Sequence, residues 1–440
     1  MSAGPEHPVG DQLTRRTHRW NFWAMVGDGA FFSVGLAFFE VSTVLPFFIA
    51  SYTSSAVLIG SVAAVKTAGW YVPQLPTALA LLGRVRIKNF FLLQALIGRL
   101  ALAAVVPVVF LAGRMPAGWV VASFLLAYAV FAFTEGAATL AWFDLVGKAI
   151  SPTTRGRFFG MVQLLGGIVG VSGGVAVWWL LAADRLALPA RFGLIFTLGS
   201  VAFLVSAACI ALVHEPIESI GGETRTSAMR EVTRLAGDAH LRGVAVSQIL
   251  VGTLQLALPF YVIYGRDRLG LTPEWIGAFV VAQTVGATGT AMIWGWIAER
   301  FGARLVIRMA ALLVVCVPGL AFLAAAVRDV AGILLLLVYA VAGATIGGSK
   351  LGFWKYVLDL VNPRDRRVCF GLVNTGNSPI LLMPLVGGVL VRWGGYELLF
   401  AVAVISGLIA VLSAFGLAEP RELLGAALVD APAPSSRADP

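Results

Sequence analysis

Residues 128–160, YAVFAFTEGAATLAWFDLVGKAISPTTRGRFFG, are answered 211 positions later by residues 339–371, YAVAGATIGGSKLGFWKYVLDLVNPRDRRVCFG. Tyr128-Ala129-Val130 falls on Tyr339-Ala340-Val341, Pro152 on Pro363, Arg155 on Arg366 and Phe159-Gly160 on Phe370-Gly371, with no gap. One offset held across a long apolar run and the loop after it marks a duplication. Leu45-Pro46-Phe47 echoes Leu258-Pro259-Phe260, and Ile59-Gly60 echoes Ile276-Gly277, with the offset drifting by a few residues. The chain therefore reads as two copies of one unit.

Each unit belongs in lipid. Of 440 residues 59% are hydrophobic and only 12% charged, and a mean hydropathy of +0.87 lies far from soluble composition. A bilayer core about 30 Å thick needs roughly 20 apolar residues per helix. The apolar blocks predict helices over 20–50, 55–82, 89–112, 118–147, 158–183 and 192–213, then 243–263, 275–298, 304–326, 331–358, 370–391 and 396–418. The expected fold is all-α: twelve transmembrane helices in two pseudo-symmetric six-helix bundles, 20–213 and 243–418. A tail over 1–19, a linker over 214–242 and a disordered, Ala/Pro/Ser-rich tail over 419–440 complete the chain. The first apolar block is too long for a signal-peptide core.

The net charge of +9 does not point to nucleic acid, because the bases recur at alternate loops instead of forming a patch. Of the 32 Lys and Arg residues, about 22 fall on the side of the termini and about 7 on the other. The positive-inside rule then puts both termini in the cytoplasm of a multi-pass plasma-membrane protein. Cys209, Cys316 and Cys369 form no close pair. His7, His18, His214 and His240 all fall in tails or loops, so no metal, haem or other cofactor is expected. No phosphate-cradling glycine loop ending in Lys-Ser or Lys-Thr is present, and no nucleophile, base and orienter stand together. Neither an ATP-driven pump nor an enzyme fits, which leaves ion gradients as the driving force.

One loop carries a more specific pattern. Gly295-Trp296-Ile297-Ala298-Glu299-Arg300-Phe301-Gly302-Ala303-Arg304 resembles the signature of the major facilitator superfamily between paired helices, Gly-x-Leu-Ala-Asp-Arg-x-Gly-Arg-Arg, with Glu for Asp. The resemblance covers residues 20–418 and implies a secondary transporter that works by alternating access, with a solute site between the halves. It further implies a gate on the side of the termini built from Gly295, Glu299, Arg300, Gly302 and Arg304, with Glu299 facing the fifth helix near Arg157. Asp144 belongs to the same gate with Lys148 and Arg155. The equivalent first-half loop keeps its bases but has Leu81 where the acid would stand. Gly166-Gly167, Gly170 and Gly173-Gly174 resemble the glycine pattern of family antiporters without its proline, which tilts the reading toward export.

Charges inside the apolar blocks nominate the site, since each costs roughly 2.5–3.5 kcal/mol near a bilayer centre unless it is partnered or used. Depth predicts two buried ion pairs, Glu40 with Lys66 and Arg99 with Glu135. Glu135 is the leading proton-coupling carboxylate, with Asp28 and Glu40 behind it, because a carboxylate can exchange a basic partner for a proton. Asp28 lies closer to the terminal side and is expected to be solvated. Tyr128, Glu135 and Thr139 share a stripe of the fourth helix, and the repeat carries it to Tyr339, Ile346 and Lys350 of the tenth. By the resemblance these stripes line the cavity, so Tyr128, Thr139, Tyr339 and Lys350 are substrate-binding residues. Gln248 and Gln255, seven apart on the seventh helix, face them.

The sequence thus predicts a monomeric, proton-coupled exporter of a small organic solute, whose partners are that solute, the proton and the lipid bilayer. Uptake of an organic anion, suggested by Lys66, Arg99 and Lys350, is the alternative, and a non-transporting membrane sensor on the same fold is the rival of another class.

Overall fold

The computed structural model describes residues 15–81, 84–151, 153–216, 233–235, 237–360 and 366–419. The ends 1–14 and 420–440, most of the expected linker, and Pro152 and Pro363 of the repeat lie outside the described residues. The described elements are helical. Ten helices are long and apolar enough to cross a membrane: Ala56–Leu81, Lys88–Phe110, Ala117–Ala149, Arg155–Leu181, Leu188–Ala211, Ala239–Leu269, Trp275–Phe301, Ala303–Ala326, Arg328–Leu360 and Gly371–Phe415. The last has 45 residues, more than twice what one crossing needs, and it turns back at Gly394 and Gly395. Gly395 has φ +71°, a backbone state that a side chain disfavours, so the turn between the eleventh and twelfth helices is written into Gly394-Gly395. The first helix, Arg15–Phe38, continues after a break as Val44–Ala50. These elements are consistent with twelve crossings.

Small residues set how closely helices approach. A Cβ on Gly69 of the second helix would collide with the backbone of Ala132 in the fourth, and one on Gly136 with the Gly69 carbonyl. The second half repeats the contact, with Gly286 of the eighth helix against the Ala340 carbonyl of the tenth and Gly343 against the Gln283 carbonyl. Between the halves, Gly60 lies against the Pro384 carbonyl, Gly388 against Ala56, and Gly277 against the Trp178 backbone, with Gly174 against Val281. In lipid, where apolar burial drives no association, this close approach is what holds helices together.

These interfaces lie on the side away from the termini. There Arg266 of the seventh helix also donates to the Ala50 carbonyl at 3.3 Å, and its guanidinium lies over the Phe47 ring. Toward the terminal side the fifth and eighth helices part: the fifth packs along Trp275–Gly289 and hardly along Ala291–Phe301. Contacts still bridge the halves there: Asn374 donates to Gln74 Oε1 at 2.7 Å, and the Phe143 and Trp354 rings meet edge to face.

Among the described residues five helices depart from continuous rods. The first is broken over residues 39–43, the second at Val72 and Pro73, where proline removes a backbone donor, and the eighth at Thr290. The seventh runs longer than expected and turns to 3-10 geometry over Gly252–Leu256 and Leu258–Phe260, and the eleventh does so over Ser378–Leu382. Apolar composition is the same for a rod and for a broken helix, so hydropathy alone shows none of this except at proline.

Candidate functional site

Four helices of the first half converge on Arg99, which is 1% exposed. Its Nε donates to Glu135 Oε1 at 2.8 Å, and its Nη1 donates to the Phe203 carbonyl at 2.8 Å and to Ser206 Oγ at 3.1 Å. The Ser206 hydroxyl in turn donates to Asp28 Oδ1, and Asp28 Oδ2 accepts the Trp142 indole N–H at 2.8 Å. Sequence spacing explains the convergence: Glu135 and Trp142 are seven apart on the fourth helix, and Phe203 and Ser206 are three apart on the sixth. The guanidinium is flanked by the rings of Phe32, Phe91 and Phe203, which shield it from water. Asp28 is buried and hydrogen-bonded, in contrast to the solvated position expected of it. Its distance from the helix end is right, but Trp142 and the sixth helix cover it.

Glu135 pairs with the guanidinium directly and Asp28 reaches it through the Ser206 hydroxyl, so two carboxylates depend on one cation. If both are ionised the cluster carries one uncompensated negative charge in a buried site, and one proton removes it. The Thr139 hydroxyl is spent on the Glu135 carbonyl at 2.8 Å.

Glu40 has another environment. The break over 39–43 turns it toward the eighth helix, where its Oε1 accepts the Ser42 N–H at 3.2 Å and Gln283 Nε2 at 3.4 Å. The Ser42 hydroxyl sits between Glu40 Oε1 at 3.0 Å and Gln283 Oε1 at 2.6 Å. Tyr339 of the tenth helix donates to the Ser42 carbonyl at 3.2 Å, so the break is tied to two helices of the other half. A recess of about 250 Å³, lined by Glu40, Gln163, Gln283, Thr284 and Thr288 among others, opens beside it. The expected Glu40–Lys66 ion pair is absent among the described residues. Equal depth brings the two level, but the break swings Glu40 away.

Lys66 and Lys350 are both exposed although they lie within long apolar helices. Lys350 Nζ lies 4.9 Å from the centroid of the Trp354 ring. Trp354 meets Phe143 at 6.1 Å between centroids, and these two residues are equivalent in the 211-residue repeat. A contact between equivalent residues of two copies marks where the pseudo-twofold axis runs.

The remaining expected residues are dispersed. Tyr128 and Tyr339 are buried, stacked on Phe124 and Phe279, and so pack in the core instead of facing open space. Gln248 and Gln255 are half-buried, but the change from α to 3-10 geometry between them cancels the seven-residue return to one side. On the terminal side Arg155 caps the fourth helix through the Gly147 and Ile150 carbonyls, Arg157 lies over the Phe22 ring, and Lys148 pairs with Glu215 at 3.3 Å. Asp144 engages a partner within the fold, and Glu299 and Arg300 are exposed. Of the loop's two glycines, Gly302 adopts φ +92° against the Glu419 carboxylate, whereas Gly295 faces open space.

The acids that hold this side together are ones the sequence reading passed over. Glu215 accepts the Ile87 and Lys88 N–H groups at 2.8 and 3.0 Å, satisfying the start of the third helix, and pairs with Lys148. Glu419 lies at the start of the ninth helix, beside Gly302 and 3.6 Å from Arg304 Nε. Each follows its half's last helix and precedes a proline, in Glu215-Pro216 and Glu419-Pro420, a second repeat that could have disclosed them.

Residues 243–437 match the sequence profile of the Major Facilitator Superfamily. A D-xylose–proton symporter structure superposes with a TM-score of 0.72 over 92% of this chain and 99% of its own, at 12% identity. The chain has the major facilitator fold. The nucleoside transporter NupG (TM-score 0.64, 16% identity, 90% of this chain and 98% of that one) agrees. So does a bacterial homologue of the human lysosomal transporter Spinster, inward-facing and unoccupied (0.66, 13%, 94% and 99%). No curated protein matches the chain in sequence. In facilitator terms, the Arg99 cluster is confined to the first half, and Lys66 and Lys350 come one from each half.

Proposed function

We propose that this facilitator-fold protein is a secondary transporter that moves a small organic solute by alternating access, coupled to protons through Asp28, Arg99 and Glu135. The observation that carries the coupling is the dependence of two carboxylates on one buried guanidinium. With both acids ionised, an unpaired charge costs roughly 2.5–3.5 kcal/mol at span centre, so closing favours the singly protonated cluster and wetting favours releasing the proton. The basic loops beside residues 84–88 and 300–308 support a cytoplasmic placement of the terminal side, in the plasma membrane. The fifth-helix glycines, whose pattern tilts the sequence reading toward export, pack against Ser33, Ala37, Val281, Thr284 and Thr288, and the coupling reading holds for export and uptake alike.

Proteoliposomes loaded with a pH-sensitive dye provide the test. Solute addition should move protons through the wild type, and Glu135→Gln should abolish that movement while retaining counterflow exchange of labelled solute. Undiminished proton movement in Glu135→Gln rejects the assignment.

A further inference from the structure

We propose that the solute is an organic anion bearing a carboxylate or phosphate, clamped between Lys66 of the first half and Lys350 of the second. This deepens the transport reading and rests on it.

Among the described residues neither lysine has an ion-pair partner, unlike Arg99, Lys148, Arg266, Arg304 and Lys355. The acid nearest in depth, Glu40, is engaged with Ser42 and Gln283 instead. Both lysines are exposed although they lie within long apolar helices, and Lys350 holds its ammonium over the Trp354 ring, which itself meets Phe143 of the other half. Lys66, from the other half, stands close enough to act on Lys350 electrostatically, and among the described residues neither ammonium is paired with an acid. Keeping two ammonium groups within spanning segments without acids is costly, and a bound anion offsets both at once.

Their placement gives that anion a mechanical consequence. The second and tenth helices belong to different bundles, and beside Lys350 the Phe143–Trp354 contact is one of the terminal-side bridges between the halves. Two bases repel without a counter-charge and are drawn together by a common anion, so binding favours approach of the halves on the terminal side. A cation would meet two repelling ammonium groups, and a neutral sugar would leave both charges uncompensated.

The full-length protein in detergent is titrated with benzoate, gluconate and glycerol 3-phosphate, each against equal chloride, with tetraphenylphosphonium and xylose as cationic and neutral controls, and melting is recorded. At least one of the three anions should raise the melting temperature of the wild type. Lys66→Ala and Lys350→Ala should each raise its apparent Kd by about tenfold or more, and the Arg replacements should retain binding. The proposal is overturned if none of the three anions stabilises the protein, if stabilisation survives both Ala variants, or if only the cation or sugar stabilises. Ligand-free melting of the Arg variants checks that the fold is intact. Failure of the coupling reading is separate: lysine-dependent anion binding with unaltered proton movement in Glu135→Gln would sink the coupling and leave the clamp standing.

Discussion

The two halves keep the same packing and differ in their charges. Gly69, packed on the fourth helix at Ala132, has its counterpart in Gly286, packed on the tenth at Ala340, one turn away in the repeat, and Gly60 and Gly277 each seat the opposite half on equivalent helices. The polar positions do not correspond. Glu135 has Ile346 as its equivalent, Thr139 has Lys350, and Trp142 has Phe353. Backbone-to-backbone contacts tolerate no added carbon, so duplication preserves them, whereas a polar position can change as soon as its partner does. The asymmetry of charge on a symmetric frame is what divides the proposed labour: a proton site inside one bundle, and a solute site shared by both.

The largest effect should come from breaking that asymmetry at its centre. Arg99→Met leaves Asp28 and Glu135 buried without their cation, and it is expected to destabilise the protein by about 3–5 kcal/mol. Thermal unfolding in detergent measures this, and adding Glu135→Leu to Arg99→Met should recover part of the loss. A wild-type melting curve for Arg99→Met would mean that the first half is, energetically, as apolar as the second.

A smaller effect sharpens the packing side of the comparison. Gly277→Ala places a methyl on the Trp178 backbone between the halves, and the overpacking should cost about 1–3 kcal/mol. Gly295→Ala, which faces open space, should stay within about 0.5 kcal/mol of the wild type. Equal melting of the two variants would show that the halves are not held by the close approach at Gly277.

How much of this was legible depended on whether the signal was local. The duplication of the fourth and tenth helices could be read because residues 128–160 and 339–371 align without a gap. Arg99 meets Glu135 because both lie on unbroken helices, where residues counted from the ends give true depth. Counting failed for Glu40, where the helix stops at Phe38 and the next residues turn the side chain to Gln283. It also failed for Asp28, whose depth was right but whose cover comes from Trp142 and Ser206, distant in sequence. Gln248 and Gln255 were separated by a change of helical type that apolar residues do not advertise.

The smallest effect concerns the paired acids on the terminal side, where the halves resemble each other in a charged feature. Glu215 receives two backbone N–H groups and Lys148, whereas Glu419 faces Arg304 at the longer distance of 3.6 Å. Charge-assisted bonds to a helix start are the stronger kind, so Glu215→Gln should cost about 1–2 kcal/mol and Glu419→Gln less. Both losses should be retained in high salt to different degrees. The Glu215 contribution rests on short backbone bonds in a site that is 8% exposed and should resist screening, while the Arg304 side chain, 29% exposed, should lose most of its share. Melting each variant at low and high ionic strength reads this directly. If Glu419→Gln proves the more damaging, the second half is closed on this side by a stronger latch than the first, and the resemblance of the two Glu-Pro corners is one of sequence and not of energy.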